Sequence, residues 1–412
     1  MKKTTGISGR NLFAITTINA GTLSWYMYFG NYIGAEIVFQ NLAVDPSLVS
    51  IGEALFFLTA GLSALLGVLL RKRTSNMKFL WAWTLFGVLC SALTLFFTGD
   101  LFVFIFGPIL GIAMGLGFPY SLSLLATQMD LEHRGRASGI MLLETFFLAV
   151  TAGVVNVWFD LGFIGTVVTL VLLKSVSLLG LAIGKISLNY EFASQPIPAS
   201  RALNRERNKN YLIYLIPWIM FVVAVVIIDH VIWPTLEQDP QIAKGLGDIP
   251  YAYVGTTIFA GLSGIIADRF GRKIPIFAGL AVLGFSSALL GSMVSPETFF
   301  IHHMAIGVAF GFLFTAYCTI PGDLSDRSNA EKLYALILVV PFLIYFGLGT
   351  LPQYFGASAT AISVSWILTS LIFASIAPIY FARETLKEEK VRERQSKEYL
   401  EKLIKVVEES KK

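Results

Sequence analysis

Charged residues are scarce in this chain of 412 residues, since Asp, Glu, Lys and Arg make up only 14%, against roughly 25% in an ordinary soluble domain. Hydrophobic residues make up 55% of the chain, 33 residues are phenylalanine, and the mean hydropathy is +0.69. Apolar side chains in this number need lipid as well as a protein interior to be removed from water. The composition therefore excludes an ordinary soluble fold and predicts a membrane protein.

Cysteine is nearly absent. Cys90 and Cys318 are the two cysteines of the chain, and both lie within apolar segments. They offer neither a disulfide framework nor a zinc site. We therefore expect both to be packing residues, and we expect no bound metal.

The residue patterns of enzymes are missing as well. The sequence has no recognisable pairing of a nucleophile with a base and no phosphate-binding loop with its lysine. Gly111, Gly115 and Gly117 lie within an apolar helix, where glycines allow neighbouring helices to approach closely. We therefore expect no enzymatic activity, no cofactor and no use of ATP. The net charge of +4 follows from membrane topology, as described below, and gives no case for nucleic-acid binding.

Twelve apolar stretches are long enough to cross a bilayer, which takes about 20 residues. The first of them, beginning at Leu12, is too long for a cleavable signal peptide and counts as a helix. They predict an all-α polytopic membrane protein with twelve transmembrane helices in two six-helix bundles. The predicted spans are 12–38, 47–70, 77–98, 101–128, 136–158, 161–184, 211–233, 249–267, 274–293, 298–320, 332–351 and 359–381.

Polar sequence separates the two sets of six spans. Residues 185–210 are rich in basic residues and contain two prolines, which predicts a linker between an N-terminal bundle, 1–184, and a C-terminal bundle, 211–381. Residues 382–412 are dense in Lys, Arg and Glu, with apolar residues at helical spacing. This tail is predicted to be either an amphipathic helix or a solvated segment.

Positive charge is confined to one side of this topology. All 31 Lys and Arg residues except Lys174 and Lys244 fall in the N-terminus, the even-numbered connections, the linker and the tail. By the positive-inside rule these parts are cytoplasmic. We expect a multi-pass protein of the plasma membrane with both termini in the cytoplasm.

The two halves also carry an internal repeat. Ala-Gly-Leu-Ser at 60–63 recurs at 260–263, an offset of 200, and Gly-Ile-Ala-Met-Gly at 111–115 matches Gly-Val-Ala-Phe-Gly at 307–311. Both matches join equivalent helices of the two predicted halves. The sequence therefore indicates a duplicated, pseudo-symmetric bundle.

A charge cluster follows the predicted eighth helix, where it must form a turn at one membrane face. In residue type, spacing, side and helix number it resembles the signature loop of the major facilitator superfamily (MFS). Residues 134–139 and 383–386 are similar to two further motifs of that family. The resemblance implies a twelve-helix transporter with a central cavity that works by alternating access. The residues that carry it are Gly264, Asp268, Arg269, Gly271, Arg272 and Lys273.

The sequence also departs from the family pattern. The first-half copy of the signature has Val68 where the second half has Asp268, and Arg71 in place of the second glycine. A helix 4 arginine frequent in the family would fall at Gly107, and helix 5 has Glu144 instead of the Gly-Pro pair of many drug antiporters. The family's common proton-coupling and drug-export mechanisms therefore do not carry over directly.

The resemblance implies that the signature loop is a conformational latch. Asp268 is predicted to face a neighbouring helix terminus, while Arg269, Arg272 and Lys273 donate to carboxylates and helix carbonyls. The alternative is that these basic residues only anchor the topology. Because the first half has lost its aspartate, we expect the latch to depend on the C-terminal bundle alone.

Ionisable residues inside the spans are functional candidates, because they are costly to bury in a membrane. Glu144 is predicted roughly 12 Å from the cytoplasmic face, and Lys174 roughly 20 Å from the other face of a ~30 Å core. These depths predict an ion pair; alternatively Glu144 faces the cavity and changes protonation, or Lys174 snorkels to the lipid surface. Glu36, Glu53 and Asp229 are predicted near the outer face, where they attract cations, carry protons or are solvated helix ends.

Aromatic and amide side chains on helices 1, 4, 7 and 10 are candidates for solute binding. They stack on apolar faces and hydrogen-bond hydroxyls, although packing between helices is the alternative. No arginine is predicted at mid-membrane, which disfavours a strongly anionic solute. The candidates are Asn19, Trp25, Tyr28, Asn31, Tyr120, Ser121, Trp218 and Tyr317.

These features together predict a secondary active transporter for a small organic solute. Proton-coupled uptake is preferred because Glu144 and Asp229 can titrate. Efflux of amphipathic compounds is one alternative, and a non-transporting membrane sensor on the same fold is another. The expected partners are the solute, protons and the lipid bilayer, and we expect a monomer.

Overall fold

The computed structural model describes residues 9–29, 46–71, 76–96, 100–184, 201–236, 251–326, 329–348 and 361–386. Within these ranges the regular structure is helical, with no β-strand. The predicted all-α architecture is therefore confirmed.

The helices are numbered α1 to α12 in chain order. Three of them change character along their length: α3 ends in a 3-10 turn, α4 is broken once, and α7 contains a π-helical turn. The bounds are α1 Gly9–Tyr28, α2 Pro46–Arg71, α3 Asn76–Leu93 with Thr94–Phe96, α4 Asp100–Gly115 and Phe118–Gln128, α5 Arg134–Phe159, α6 Gly162–Ile183, α7 Arg201–Ile227 with Ile228–Ile232 and Trp233–Leu236, α8 Tyr251–Phe270, α9 Lys273–Ser292, α10 Pro296–Leu324, α11 Ala330–Leu348 and α12 Ala361–Phe381.

Ten helices in the described ranges are long and apolar enough to cross a membrane. The other two are α1 and α8, which carry more polar residues. Most of α1 is buried among other helices, so its polar side chains, such as Asn19 and Thr22, bond to protein. The chain is a multi-pass membrane protein.

Some boundaries differ from the prediction. α7 begins at Arg201, inside the predicted linker, because residues 201–210 contain neither proline nor glycine and continue the helix. The predicted continuous span of α4 is interrupted at Leu116 and Gly117, since Pro119 has no amide hydrogen for the helix ladder. The rest of the linker, the end of the first predicted span and the tail beyond 386 lie outside the described residues.

Buried apolar side chains form two clusters. One consists mainly of residues from α1 to α6, and the other consists of residues from α7 to α12 with the segment after it. The two halves meet where α2 packs against α11 and where α5 packs against α8. Each half therefore has its own core, and the most extensive contacts between the halves lie along these two seams.

The repeat found in the sequence marks equivalent helix contacts. A Cβ added to Gly115 of α4 would overlap the carbonyl oxygen of Ala60 in α2. A Cβ added to Gly311 of α10 would lie 2.8 Å from the backbone nitrogen of Ala260 in α8. The predicted role in close helix approach is confirmed for Gly115, and Gly311 makes the equivalent contact in the second half.

Candidate functional site

One end of the helix bundle, which we call the basic end, carries the basic residues at the end of α2, at the start of α5 and after α8. We define it by Arg71, Arg134, Arg136 and Arg272. The end where α5 finishes and α10 begins is the opposite end. At the basic end the predicted signature loop lies against the start of α5, which belongs to the other half.

Asp268, in the last turn of α8, is 1% exposed. Its Oδ1 accepts a hydrogen bond from the backbone N–H of Gly135 at 2.9 Å, and its Oδ2 accepts one from Arg136 at 2.9 Å. These amides belong to the first turn of α5 and have no partner within that helix. The carboxylate therefore meets the positive end of a helix from the other half, as the sequence predicted.

The guanidinium of Arg272 is fully buried beside this carboxylate. It donates to Asp268 Oδ1 and Asp323 Oδ2, both at 2.8 Å. It also donates to the carbonyl of Ala267 at 2.6 Å and, across the boundary between halves, to that of Leu131 at 2.7 Å. Arg272 thus links two carboxylates of its own half to the turn before α5.

Asp323, near the end of α10, is a residue of this network that the sequence interpretation missed. Besides Arg272, it accepts hydrogen bonds from Thr385 at 3.0 Å and from Arg134 at 3.3 Å. Arg134 comes from the other half and also donates to the carbonyl of Gly322 at 2.7 Å. The sequence did contain a signal for Asp323. It lies just after the end of the tenth predicted span, on the side of the membrane to which the basic residues were assigned.

The turn after α8 is closed by the segment that follows α12. Gly271 has a φ of 106°, which favours glycine, and it packs directly against the carboxylate of Glu384. That carboxylate accepts the backbone N–H groups of Arg272 at 2.8 Å and Lys273 at 3.2 Å. The Lys273 ammonium donates to the carbonyl of Ala382 at 2.9 Å. Residues 383–386 therefore help to shape the signature loop, whereas its Arg269 is exposed.

α5 and α8 touch at two glycines beside the Asp268 contact. A Cβ on Gly135 would lie 2.5 Å from Asp268 Oδ1, and a Cβ on Gly264 would lie 2.5 Å from the carbonyl oxygen of Gly135. Any side chain at either position would push the two helices apart. Gly264 is thus required for the contact between halves and not for the turn itself.

A second polar contact crosses the boundary at this end. Arg71 at the end of α2 forms an ion pair with Glu331 in the first turn of α11, and its guanidinium lies 4.9 Å from the ring centroid of Tyr120. The expectation that the latch residues depend on the C-terminal bundle alone is therefore wrong. The first half has lost the aspartate, but it supplies Arg71, Arg134 and the free amides of α5.

The predicted ion pair between Glu144 and Lys174 is also wrong. Glu144 accepts hydrogen bonds from Thr16 at 3.0 Å and Thr17 at 3.5 Å, whereas Lys174 donates to Thr22 at 3.0 Å. α1 passes between α5 and α6, and the two side chains bind threonines at different positions along it, so they do not meet. Lys174 is 0% exposed, so it does not snorkel to lipid either.

Glu53 of α2 and Asp229 of α7 approach each other from different halves, toward the opposite end. Asp229 accepts a hydrogen bond from the Tyr345 hydroxyl at 3.1 Å, and its charge interacts with that of Glu53 and with Tyr26. Asp229 lies in the π-helical turn of α7, a feature often found at functional sites. The third outer candidate, Glu36, lies outside the described residues.

Aromatic rings from both halves meet at Tyr345, the residue whose hydroxyl binds Asp229. Tyr26 stacks on Phe56 with centroids 5.9 Å apart and meets Phe342 of the other half edge-on at 6.0 Å. Phe57 stacks on Tyr345 across the boundary at 4.7 Å. The seam between α2 and α11 therefore offers both ring faces and ionisable groups.

The predicted solute-binding residues are mostly used for packing. Ser121 donates to the side chain of Asn19 at 2.8 Å, Trp218 donates to the carbonyl of Ile337 at 3.0 Å, and Tyr317 donates to that of Tyr214 at 2.9 Å. In this conformation these side chains pack between helices, which was the alternative to solute binding. Trp25, Tyr28 and Tyr120 are likewise buried, and Asn31 lies outside the described residues.

No family model and no curated protein matches this sequence. Solved structures do match the fold. The MFS proton:xylose symporter XylE bound to 6-bromo-6-deoxy-D-glucose gives a TM-score of 0.68 at 16% identity, covering 92% of this chain and 97% of that chain. The xylose transporter XylE from E. coli, in a partially occluded inward-open conformation, gives 0.66 at 15% identity, with coverages of 92% and 99%. The nucleoside transporter NupG gives 0.56 at 13% identity, with coverages of 92% and 100%.

The chain therefore has the MFS fold that its signature residues predicted. At this level of sequence identity the likeness is one of fold. The function of the protein must therefore be inferred from its own residues.

Proposed function

We propose that the protein is a secondary active transporter that moves a small organic solute by alternating access, with proton-coupled uptake. The observation that carries the proposal is the contact of Asp268 with the first amides of α5. This contact joins the two halves at one end through hydrogen bonds to a carboxylate. Such bonds can be exchanged for bonds to water when that end opens.

The chemistry of the basic end supports a latch function. Asp268, Arg272 and Asp323 form charge-assisted hydrogen bonds in a place that excludes water, so the bonds are strong while the halves are together. Arg134 and Leu131 extend the network into the other half. Separation of the halves breaks several of these bonds at once, which favours two discrete states over a continuous range.

Carboxylates near the opposite end support proton coupling. Glu53 and Asp229 belong to different halves, so their mutual repulsion changes when the halves move, whereas the Tyr345 hydrogen bond to Asp229 stays within the C-terminal half. A group whose surroundings differ between two conformations binds a proton with different affinity in each, which is the condition for coupling. Glu144 on α5, held by two threonines of α1, is a third candidate.

The solute is proposed to be organic and not strongly anionic. Tyr345, which binds Asp229, belongs to a group of rings from both halves with Tyr26, Phe57 and Phe342, whereas the arginines of the described spans gather at the basic end. The structural neighbours named above as xylose and nucleoside transporters act on organic solutes, which agrees with this proposal.

The orientation follows from the loop charges. The basic end and both termini are proposed to be cytoplasmic, with residues 1–184 and 211–381 as the two bundles. We propose a monomer in the plasma membrane, because each half already packs against the other along two seams.

A binding screen followed by a flux assay tests the proposed function. A solute library is screened by thermal stability at two pH values, since a bound ligand raises stability by mass action. The hits are then followed into proteoliposomes with and without an inward proton gradient. The proposal expects a hit that accumulates only with the gradient. Binding without flux would instead indicate a sensor, and gradient-driven release would indicate an exporter.

A further inference from the structure

Lys174 lies inside the N-terminal half, away from both groups of residues described above. Its side chain projects from α6 toward α1 and α3 and is completely buried. Its ammonium donates to the Thr22 hydroxyl at 3.0 Å. None of the ion pairs among the described residues includes it. Among the described residues, this buried basic group thus has no carboxylate partner.

Two tryptophans take the place of that partner. The Lys174 Nζ lies 4.2 Å from the ring centroid of Trp83 and 5.2 Å from that of Trp25. Both rings are fixed, because Trp25 donates to Ser91 at 2.8 Å and Trp83 donates to the carbonyl of Ala113 at 2.7 Å. The negative ring faces attract the ammonium without adding a charge.

The space for the lysine stem is also specific. A Cβ on Gly87 of α3 would overlap the Cε of Lys174, so only glycine leaves room there. On the other side, Thr22 is within hydrogen-bond distance of Ser177 at 3.2 Å and of the Ile18 carbonyl at 3.3 Å. The lysine is therefore held in one position between α1, α3 and α6.

This environment suits both protonation states of Lys174. Burial without an anion opposes the charged form, whereas the two ring faces and Thr22 favour it. When Nζ releases one proton to water, the electron pair of the broken N–H bond stays on the nitrogen as a lone pair, and the neutral amine accepts a hydrogen bond from the Thr22 hydroxyl. The attraction to Trp25 and Trp83 is then lost.

Few other groups near Lys174 titrate. Among the described residues, the titratable side chain that interacts with Lys174 is the Cys90 thiol of α3. α1 contributes Thr22 and Trp25, α3 contributes two further neutral residues, and α6 contributes Ser177. A change of charge in this place that disappears in Lys174→Met therefore belongs to Lys174 and not to Cys90.

We propose that Lys174 is a proton-binding residue that sets the position of α1. As an ammonium it clamps α1 to α3 and α6 through Thr22 and Trp25, and loss of its proton releases α1. The inference rests on the proposed alternating access, because α1 also carries Tyr26 at the boundary between the halves. α1 is then held by a base on α6 and an acid, Glu144, on α5.

Tryptophan fluorescence tests the protonation of Lys174 directly. Emission of the purified protein in nanodiscs is titrated from about pH 5 to about pH 10. A step is expected in the wild type and is expected to vanish in Lys174→Met, which removes the amine but keeps most of the apolar stem, and in Trp83→Phe. Trp366→Phe, at an exposed position on α12, is the control and should keep the step. No step in the wild type, or a step that persists in Lys174→Met, would overturn the proposal.

A labelling assay tests the effect on α1 and the halves. Ser138 is buried and lies 3.1 Å from Thr319 of the other half, so a cysteine placed there by Ser138→Cys reacts only when the basic end opens. Lys174→Met is expected to change the labelling rate at least about threefold and to remove its pH dependence, after correction for thiol ionisation. An unchanged rate and pH dependence would refute the clamp. Lys174→Gln serves as a second variant if the methionine variant does not fold.

The two assays separate this inference from the proposed function. Asp268→Asn, which disrupts the basic end directly, should raise the labelling of Ser138→Cys whatever Lys174 does. If no variant alters the labelling rate, the proposal of alternating access is contradicted. The fluorescence titration then still shows whether Lys174 binds and releases a proton.

Discussion

Arg71, the last residue of α2, forms an ion pair with Glu331 in the first turn of α11, so each half of the protein supplies one charge. The pair is partly buried, with side-chain exposures of 25% and 7%. It lies at the same end as the Asp268 contact with α5, on the other seam between the halves. The basic end is therefore closed by polar contacts on both seams.

A double-mutant cycle measures the coupling in this pair. Arg71→Met and Glu331→Gln are each expected to speed labelling of Ser138→Cys about 2- to 10-fold, because each removes one of the two charges of the pair. In the double variant the labelling rate should rise no further than in the single variant with the larger effect, which corresponds to a coupling energy of about 0.5–3 kcal/mol between the two residues. Additive effects of the two changes would show that the pair does not hold the halves together.

Asp268→Asn removes the charge from the centre of the network. The asparagine still occupies the space, but it no longer neutralises Arg272 or binds two amides of α5 with a full charge. Opening of the basic end is expected to increase roughly 10-fold or more, equal to about 1.4 kcal/mol, while solute flux slows and membrane insertion is normal. Asp326→Asn is the matched control at the same end, because Asp326 bonds to Asn329 within its own half. Unchanged flux in Asp268→Asn would exclude the latch.

Two glycines on the same helix give a sharper comparison. Gly264→Ala is expected to force α8 away from the backbone of Gly135 and to open the basic end. In Gly261→Ala the added Cβ would lie 3.2 Å from the flexible end of Leu143, which can move aside. Labelling of Ser138→Cys should therefore rise in the first variant and stay near the wild-type rate in the second. Equal effects would mean that the close contact of α8 with α5 is unimportant.

Proton coupling is tested at the carboxylates. Glu53→Gln and Asp229→Asn are each expected to abolish or shift the pH dependence of uptake, because neither side chain can then change its charge. Glu297→Gln, an exposed carboxylate at the opposite end, should leave the profile unchanged. Uptake with a normal pH profile in both variants would remove these residues from the mechanism.

Glu144 is tested in the same assay. Glu144→Gln keeps hydrogen-bonding capacity toward Thr16 and Thr17 but cannot ionise. If Glu144 carries a proton during the cycle, the pH profile of uptake will shift in this variant. A normal rate and profile would leave Glu144 with a structural role on α1.

Local motifs were predictable from the sequence because their chemistry is settled within a few residues. Asp268 sits at a helix end followed by glycine and three basic residues, so its place in a membrane-face turn and its need for a donor follow from composition alone. The helix count and the duplicated glycine contacts follow in the same way from apolar length and repeat offset. The structure agrees with the sequence on all of these points.

Partners distant in sequence were not predictable in this way. Depth along a helix follows from its rise per residue, but the direction in which a side chain points depends on which helices pack around it. The predicted depths of Glu144 and Lys174 agree, but the two side chains bind different threonines, because α1 lies between their helices. Asp323 and Glu331 join the network only through the packing of α10 and α11, which no local pattern specifies.

Distances between spin labels at both ends test the central claim most directly. One pair is placed at the basic end by His133→Cys and Lys332→Cys, and the other at the opposite end by Asp160→Cys and Met293→Cys, all at exposed positions in different halves. Cys90 and Cys318 are replaced by alanine. The account predicts that Asp268→Asn lengthens the first distance and shortens the second. Two unchanged distances, or two that lengthen together, would contradict alternating access controlled by this latch.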